Sequence, residues 1–452
     1  MLKILRIVTI FWVFLFTFTL SGCKLFDDDF SKIPLPPDSY EEIKEPSPKI
    51  AVDVYWDATV SMQGFTKLAA GNVYRALPDI LGEIGGAMGE THFFRFGETI
   101  APIEGREYRL FINPDTYTET ITSFGAVLDT SDPKHISVVI TDLFESDADW
   151  SNVTQKLREK YFSKHLAVAV IGIKNSFSGK IFDVGLNAAS FNYDSGNDPE
   201  RFRPFYIFLM GPEPELRVFL EKWQAKQKEM AVENEIKCII FKEHFLSQPN
   251  ALSLTEAIKN KNTSNIITDN RLDKADDRLQ EASVANSRDK TYVNLPINCK
   301  LDENLCQINV QNLNNDIKIQ SYVLESNGEN SHWTKRENKG TENPTLDISQ
   351  NQNGDNGKQY LEGNLKLSFT LDKALPSGKI GLLQVQVIPT SQSVQLPDWV
   401  TEWDMGNVDN DFGLLDGAKT NNLTHIMASL KESLFAVANP IILEFDLVID
   451  RR

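Results

Sequence analysis

The stretch IAVDVYWDATVS, residues 50–61, is an apolar run that stops at one carboxylate and two hydroxyls. Six of the seven residues 50–56 are apolar, most of them β-branched or aromatic, and the run follows a proline-containing linker. That composition predicts a buried strand of a parallel sheet. Asp57, Thr59 and Ser61 then fall at alternate positions of the loop leaving the strand's carboxyl end, where open α/β sheets place their ligands. Three hard oxygen donors gathered there suit Mg²⁺, Mn²⁺ or Ca²⁺ and suit zinc poorly.

Two distant segments extend the pattern. Thr122 lies in TSFGAVL, where small and apolar residues follow as at the start of a helix, and Asp142 ends a second apolar run, HISVVITD. Together with Asp57-Ala58-Thr59-Val60-Ser61, these residues resemble the von Willebrand factor type A fold. The hallmark of that family is a metal-ion-dependent adhesion site built from D-x-S-x-S, a distant Thr and a distant Asp. Thr59 replaces the first Ser and keeps the hydroxyl, whereas Leu143 stands where the family usually has Gly. The resemblance covers roughly residues 50–245. It implies that Asp57, Thr59, Ser61, Thr122 and Asp142 hold one divalent ion, and that an Asp or Glu of a protein partner completes the coordination. The plainer alternative is that Asp57 and Asp142 each cap the helix that follows.

Ahead of the fold, residues 1–22 read as a targeting segment: Lys3 and Arg6, a long apolar stretch from Ile7 to Leu20, then Ser21-Gly22 before Cys23. Small residues just before a Cys resemble the bacterial lipobox, which implies that Cys23 is acylated and becomes the mature amino terminus. The apolar stretch is short for a transmembrane anchor. Residues 23–49 carry Asp27-Asp28-Asp29 and five prolines among charged residues, the composition of an extended, solvated tether. The location expected is the bacterial cell envelope, lipid-anchored to the outer membrane on its periplasmic or surface face.

Between 50 and 245, a hairpin pattern at Thr91–Phe96 and Thr99–Ile103, joined by Gly97-Glu98, and buried strand patterns at His135–Leu143, Leu166–Ile173, Phe205–Met210 and Ile236–Phe241 alternate with helical patterns at Phe65–Ile84, Ala148–His165 and Leu216–Gln227. Alternation of this kind predicts an α/β unit with a doubly wound, mainly parallel sheet. The Asn/Asp/Ser-rich piece between Ile173 and Arg203 reads as a surface insertion, and residues 246–290 as a polar, helix-compatible bridge. From 291 to 452 the pattern turns to strands with turn signals between them, predicting a β-sandwich-like domain interrupted by one helix, Leu423–Phe435. Cys299 and Cys306 are close enough to staple a hairpin in an oxidising envelope, while Cys238 reads as a buried small hydrophobe.

The net charge of −17 repels nucleic-acid phosphates, so no nucleic acid is expected as a partner. The six histidines are scattered without metal-ligand spacing, and neither a G-x-S-x-G elbow nor a P-loop is present. An ester hydrolase of the alkaline-phosphatase kind needs a second Asp/His metal cluster that the sequence does not supply, so no enzyme is expected. Asp404–Gly413, with three carboxylates and two glycines, reads either as a Ca²⁺ loop or as a turn-rich acidic loop. Trp399 and Trp403 are expected to pack into the sandwich. Two readings of the whole chain follow: a lipid-anchored protein that binds a partner through a divalent ion, or a scaffold of an envelope assembly without a working metal site.

Overall fold

The computed structural model describes residues 46–47, 49–68, 72–105, 107–143, 147–184, 189–230, 235–243, 266–269, 279–284, 290–300, 307–308, 317–327, 330–336, 345–351, 360–370, 379–406 and 415–450. Its organising strand is β1, Val52–Asp57, every residue of which is buried. In chain order there follow helix α1 (Val73–Met88), strands β2 (Thr91–Phe96) and β3 (Ile100–Ile103), helix α2 (Phe124–Thr130), strand β4 (Ile136–Thr141) and helix α3 (Asp147–Lys160). Strands β5 (Ala167–Asn175), β6 (Ser178–Val184), β7 (Ala189–Asp194) and β8 (Arg203–Gly211), helix α4 (Glu213–Met230) and strand β9 (Ile236–Phe241) complete the α/β region.

Seven of these strands form one sheet in the order β3-β2-β1-β4-β8-β5-β9. Its centre is parallel, with β1 between β2 and β4, while β3, β8 and β9 pair antiparallel with their neighbours. The α/β character expected from the sequence is there, but the sheet is mixed rather than mainly parallel. The connections explain this. Helical crossovers join β1 to β2 and β4 to β5, leaving each pair pointing the same way. Between β5 and β8 the chain instead inserts the β6–β7 hairpin, without a crossover helix, so β8 runs back antiparallel between β4 and β5.

Helices cover both faces. Trp56 of β1 and Phe205 of β8 meet Tyr74 of α1 on one side, where α1 touches α4. On the other, Phe208 of β8 meets Phe124 of α2 and Trp150 of α3. The helix expected over Phe65–Ile84 is divided: a 3-10 turn spans Val60–Thr66, and α1 begins at Val73 with the Asn72 side chain accepting from Arg75 N. At the sheet end opposite the Asp57 loop, the Asp53 carboxylate is held between His92 Nδ1 and His135 Nδ1, each at 2.8 Å.

Beyond residue 245, described strands form sheets of six, three and two. The segment read as a polar bridge contributes strands Ile266–Asp269 and Leu279–Val284 to the six-stranded sheet, the second paired parallel with Leu443–Asp450. Leu383, Val385 and Val387 of this sheet join the same continuous core as β1, whereas Ile380 and Leu382, of opposite parity, join a smaller cluster with Tyr322 and Trp333. The expected helix is present as α6 (Leu423–Val437), following the short α5 (Asp398–Glu402). It packs on α3 of the α/β region. Trp399 and Trp403 pack, but against the α/β sheet: a Cβ at Gly172 of β5 would lie 2.8 Å from Trp403. Cys238, in β9, is half-buried rather than fully buried. Cys299 lies in strand Lys290–Lys300, while Cys306, Cys23 and the targeting segment lie outside the described residues. Among the described residues no helix is long and apolar enough to cross a membrane.

Candidate metal centre

Asp57 is the last residue of β1, and the chain leaves it through Ala58 into the 3-10 turn that carries Ser61. Two backbone hydrogen bonds tie this loop to residue 119, from Val60 N to Glu119 O (2.9 Å) and from Glu119 N to Ala58 O (3.1 Å). Arg95 Nη2 of β2 fixes Glu119 at 2.6 Å, and Gly97 leaves room for it, since a Cβ there would lie 2.4 Å from Glu119 Cγ. Thr122 is thereby brought to Asp57, two residues ahead of α2. Asp142 follows directly from β4, the parallel neighbour of β1.

All five residues singled out from the sequence converge. Thr59 donates to Asp57 Oδ1 through both its backbone N (2.9 Å) and its Oγ1 (2.7 Å). Thr59 Oγ1 and Ser61 Oγ are 3.0 Å apart, and Ser61 Oγ donates to Asp142 Oδ1 at 3.3 Å. Thr122 Oγ1 donates to Asp57 Oδ2, also at 3.3 Å. Asp57 therefore does not cap a helix; it collects hydroxyls from separate segments. The cluster is deeply set: Asp57 is fully buried, Asp142, Thr59 and Ser61 are nearly so, and Thr122 is half-buried.

Two further residues take part that the sequence reading missed. Thr141 Oγ1 donates to Asp57 Oδ2 at 3.0 Å and accepts from Leu143 N at 3.2 Å, bracing the β4 end. Inside an apolar strand, one Thr before an Asp gave no signal of this. Arg203, at the start of β8, places Nη2 3.7 Å from Asp142 Oδ2, with both side chains almost wholly buried. Its Nη1 donates to the carbonyls of Gly417 and Lys419, both at 3.3 Å, while its Nε has no hydrogen-bond partner. Only antiparallel insertion of β8 beside β4 brings this guanidinium to Asp142, so no sequence spacing announces it.

Electrostatically the cluster is under tension. Burial first, and then the negative charge of Asp142, push the Asp57 carboxyl from 3.8 up to about 7, against the pull of the Thr59 and Thr141 hydrogen bonds. Burial also lowers the Arg203 guanidinium, opposed by Asp142. When Asp57 is ionised, two buried carboxylates facing one guanidinium leave a net negative charge that a hard cation would offset. Among the described residues no group of three or more His, Cys, Asp and Glu is arranged to hold a metal. The oxygens gathered here, two carboxylates and several hydroxyls, are hard donors, the chemistry that suits a hard divalent cation better than a soft transition metal.

Leu143, which follows Asp142, has a backbone conformation that is uncommon for a side-chain-bearing residue. Its φ of +62° lies in the left-handed region that Gly adopts freely, so the turn after Asp142 keeps a glycine-like conformation in a leucine. The leucine is 4 % exposed, and its buried side chain offsets the backbone cost.

In the second acidic loop, the Asp404 carboxylate accepts from Gly406 N (3.1 Å), Leu423 N (3.2 Å) and Thr424 N (3.3 Å), capping α6 from a distance. Asp409 and Asp411 lie outside the described residues. Comparisons of the chain with protein-family models, with curated proteins and with solved structures find no match.

Proposed function

We propose that the chain is a lipid-anchored cell-envelope protein whose α/β unit, of the von Willebrand factor A kind, binds a protein partner through a divalent ion. The observation that carries the reading is the junction of three separated segments in one oxygen-lined cluster, with Ser61 bonding Asp142 and Thr122 and Thr141 bonding Asp57. Asp57, Thr59, Ser61, Thr122 and Asp142 would hold the ion, which supplies a local positive point on an acidic protein and attracts one carboxylate of the partner. In this reading Cys23 is the acylated residue, residues 23–49 the tether, and residues 291–452 a β-sandwich-like companion.

A second reading has one specific observation in its favour: Arg203 already pairs with Asp142. A guanidinium that neutralises half of the acidic pair suits a scaffold in which the cluster is structural and no ion is needed. Calorimetric titration of the intact protein with Mg²⁺ and Mn²⁺ separates the two. Binding that Asp57→Ala and Asp142→Ala both abolish, with chelator-sensitive capture of a partner from envelope extracts, is the expected result. Capture that persists unchanged in EDTA and in Asp57→Ala would leave the scaffold reading standing.

A further inference from the structure

Beside the acidic cluster lies a pocket of about 410 Å³, walled by the 3-10 turn Val60–Thr66 and by the β6–β7 hairpin. Gln63 of the turn and Lys67, the residue that ends it, line one side, and Ser178, Lys180, Asn192 and Asp194 of the hairpin the other. The two walls meet closely because both are glycine at the contact: Gly179 would set a Cβ 3.1 Å from Gly64 Cα, and both glycines face Phe177. Gln63 Nε2 donates to Pro114 O at 3.0 Å, which anchors the turn.

The charge of this pocket runs against that of the molecule. In a chain of net charge −17, it presents two exposed ammonium groups, and neither has an ion-pair partner among the described residues. Lys180 Nζ rests 5.0 Å above the Phe182 ring, which holds it without neutralising it. The one carboxylate in the lining, Asp194, is occupied by Ser178 Oγ (3.1 Å) and Gly196 N (2.8 Å).

We propose that this pocket is an accessory anion site that receives a second carboxylate of the same acidic peptide segment whose first carboxylate completes the ion at Asp57 and Asp142. The inference rests on the ion-binding reading for its geometry, because the wall that carries Lys67 also carries Ser61. Six residues of 3-10 geometry, at about 2.0 Å each, separate Ser61 from Lys67 by about 12 Å. An extended peptide rising about 3.3 Å per residue covers that distance with carboxylates three or four residues apart. The partner chemistry is thus an extended acidic segment with that spacing, not an isolated Asp or Glu.

The test uses two fluorescein-labelled Gly/Ser decapeptides, one with a single Glu and one with two Glu four residues apart, in fluorescence anisotropy with Mg²⁺ or EDTA. The intact protein in Mg²⁺ is expected to bind the two-Glu peptide about tenfold tighter, the order given by one more charge-assisted contact. Lys67→Ala with Lys180→Ala should erase that ratio while calorimetric Mg²⁺ affinity stays unchanged. A ratio that survives in the double variant, or no preference in the native protein, overturns the pocket. If lysine-dependent preference is found equally in EDTA and in Asp57→Ala, the anion site stands and the ion reading falls.

Discussion

At the scale of single residues, Asp57 governs behaviour with pH. Its carboxyl is raised to about 7 by burial and by Asp142. A carboxyl raised on folding contributes stability that is complete below the unfolded value and is lost as pH climbs through the folded one. Without divalent ions, the melting temperature should therefore fall between about pH 4 and pH 8, and Mg²⁺ should restore most at the alkaline end, where no proton competes for the site. Thermal denaturation across that range with and without Mg²⁺ checks both halves, and Asp57→Asn should flatten the profile. Thr141→Val keeps the shape of the side chain but removes the donor to Asp57 and the acceptor for Leu143 N. Urea unfolding should show a loss of about 1–3 kcal/mol. At Leu143 a left-handed strain of about 1–2 kcal/mol is set against an apolar burial of about 1.5–3 kcal/mol. Glycine adds backbone entropy of about 0.5–1 kcal/mol to the loss. Leu143→Gly is thus expected to destabilise by about 1 kcal/mol, and a gain in stability would show that strain outweighs burial there.

At the scale of elements, the turn Val60–Thr66 matters most, because one short 3-10 helix carries Ser61 and walls the lysine pocket. It sits where it does because Gly64 lies against the Phe177 ring, whose atoms would be 2.3–2.8 Å from an added Cβ. Gly64→Ala should cost about 1–3 kcal/mol by overpacking and weaken Mg²⁺ binding by shifting Ser61. Gly86, exposed on α1 with nothing within 4 Å of an added Cβ, supplies the contrast. Gly86→Ala should stabilise by about 0.5–1 kcal/mol and leave the site untouched. Paired denaturation curves and calorimetric titrations of the two variants check the difference. A buried chain beneath the site braces the same region, running from Trp56 Nε1 to Tyr74 Oη (2.6 Å), on to Tyr117 Oη (2.8 Å) and to Phe111 O (2.7 Å). Burial raises both tyrosines, so they remain neutral hydrogen-bonding groups.

At the scale of the whole molecule, the α/β unit is not self-sufficient. Leu430 and Leu434 of α6, Trp399 and Trp403 belong to its continuous core, and Arg203 beside Asp142 is held by carbonyls of Gly417 and Lys419. Tyr206 Oη and Thr420 Oγ1, 2.8 Å apart, add a further link. A chain truncated after Lys242 would expose the face that α5 and α6 cover and leave Arg203 without those acceptors. It is expected to bind hydrophobic dye and to melt without cooperativity, both measurable by fluorescence; a sharp transition equal to that of the full chain would refute this dependence.

What the sequence determined by itself was local and periodic: β1, β4, β5, β8 and β9 as apolar runs, α4 and α6 by their spacing, and the oxygen donors that end β1 and β4. Those donors were legible because a carboxylate at the end of a buried strand breaks an apolar pattern. Tertiary structure alone decided the mixed sheet, the entry of Arg203, the support from Thr141, and the packing of residues 394–405 and 423–438 onto the first unit. These depend on which strand lies beside which and on contacts between segments more than two hundred residues apart in places. Hydrophobic periodicity fixes which face of an element is buried, but it carries no record of the neighbour that will bury it.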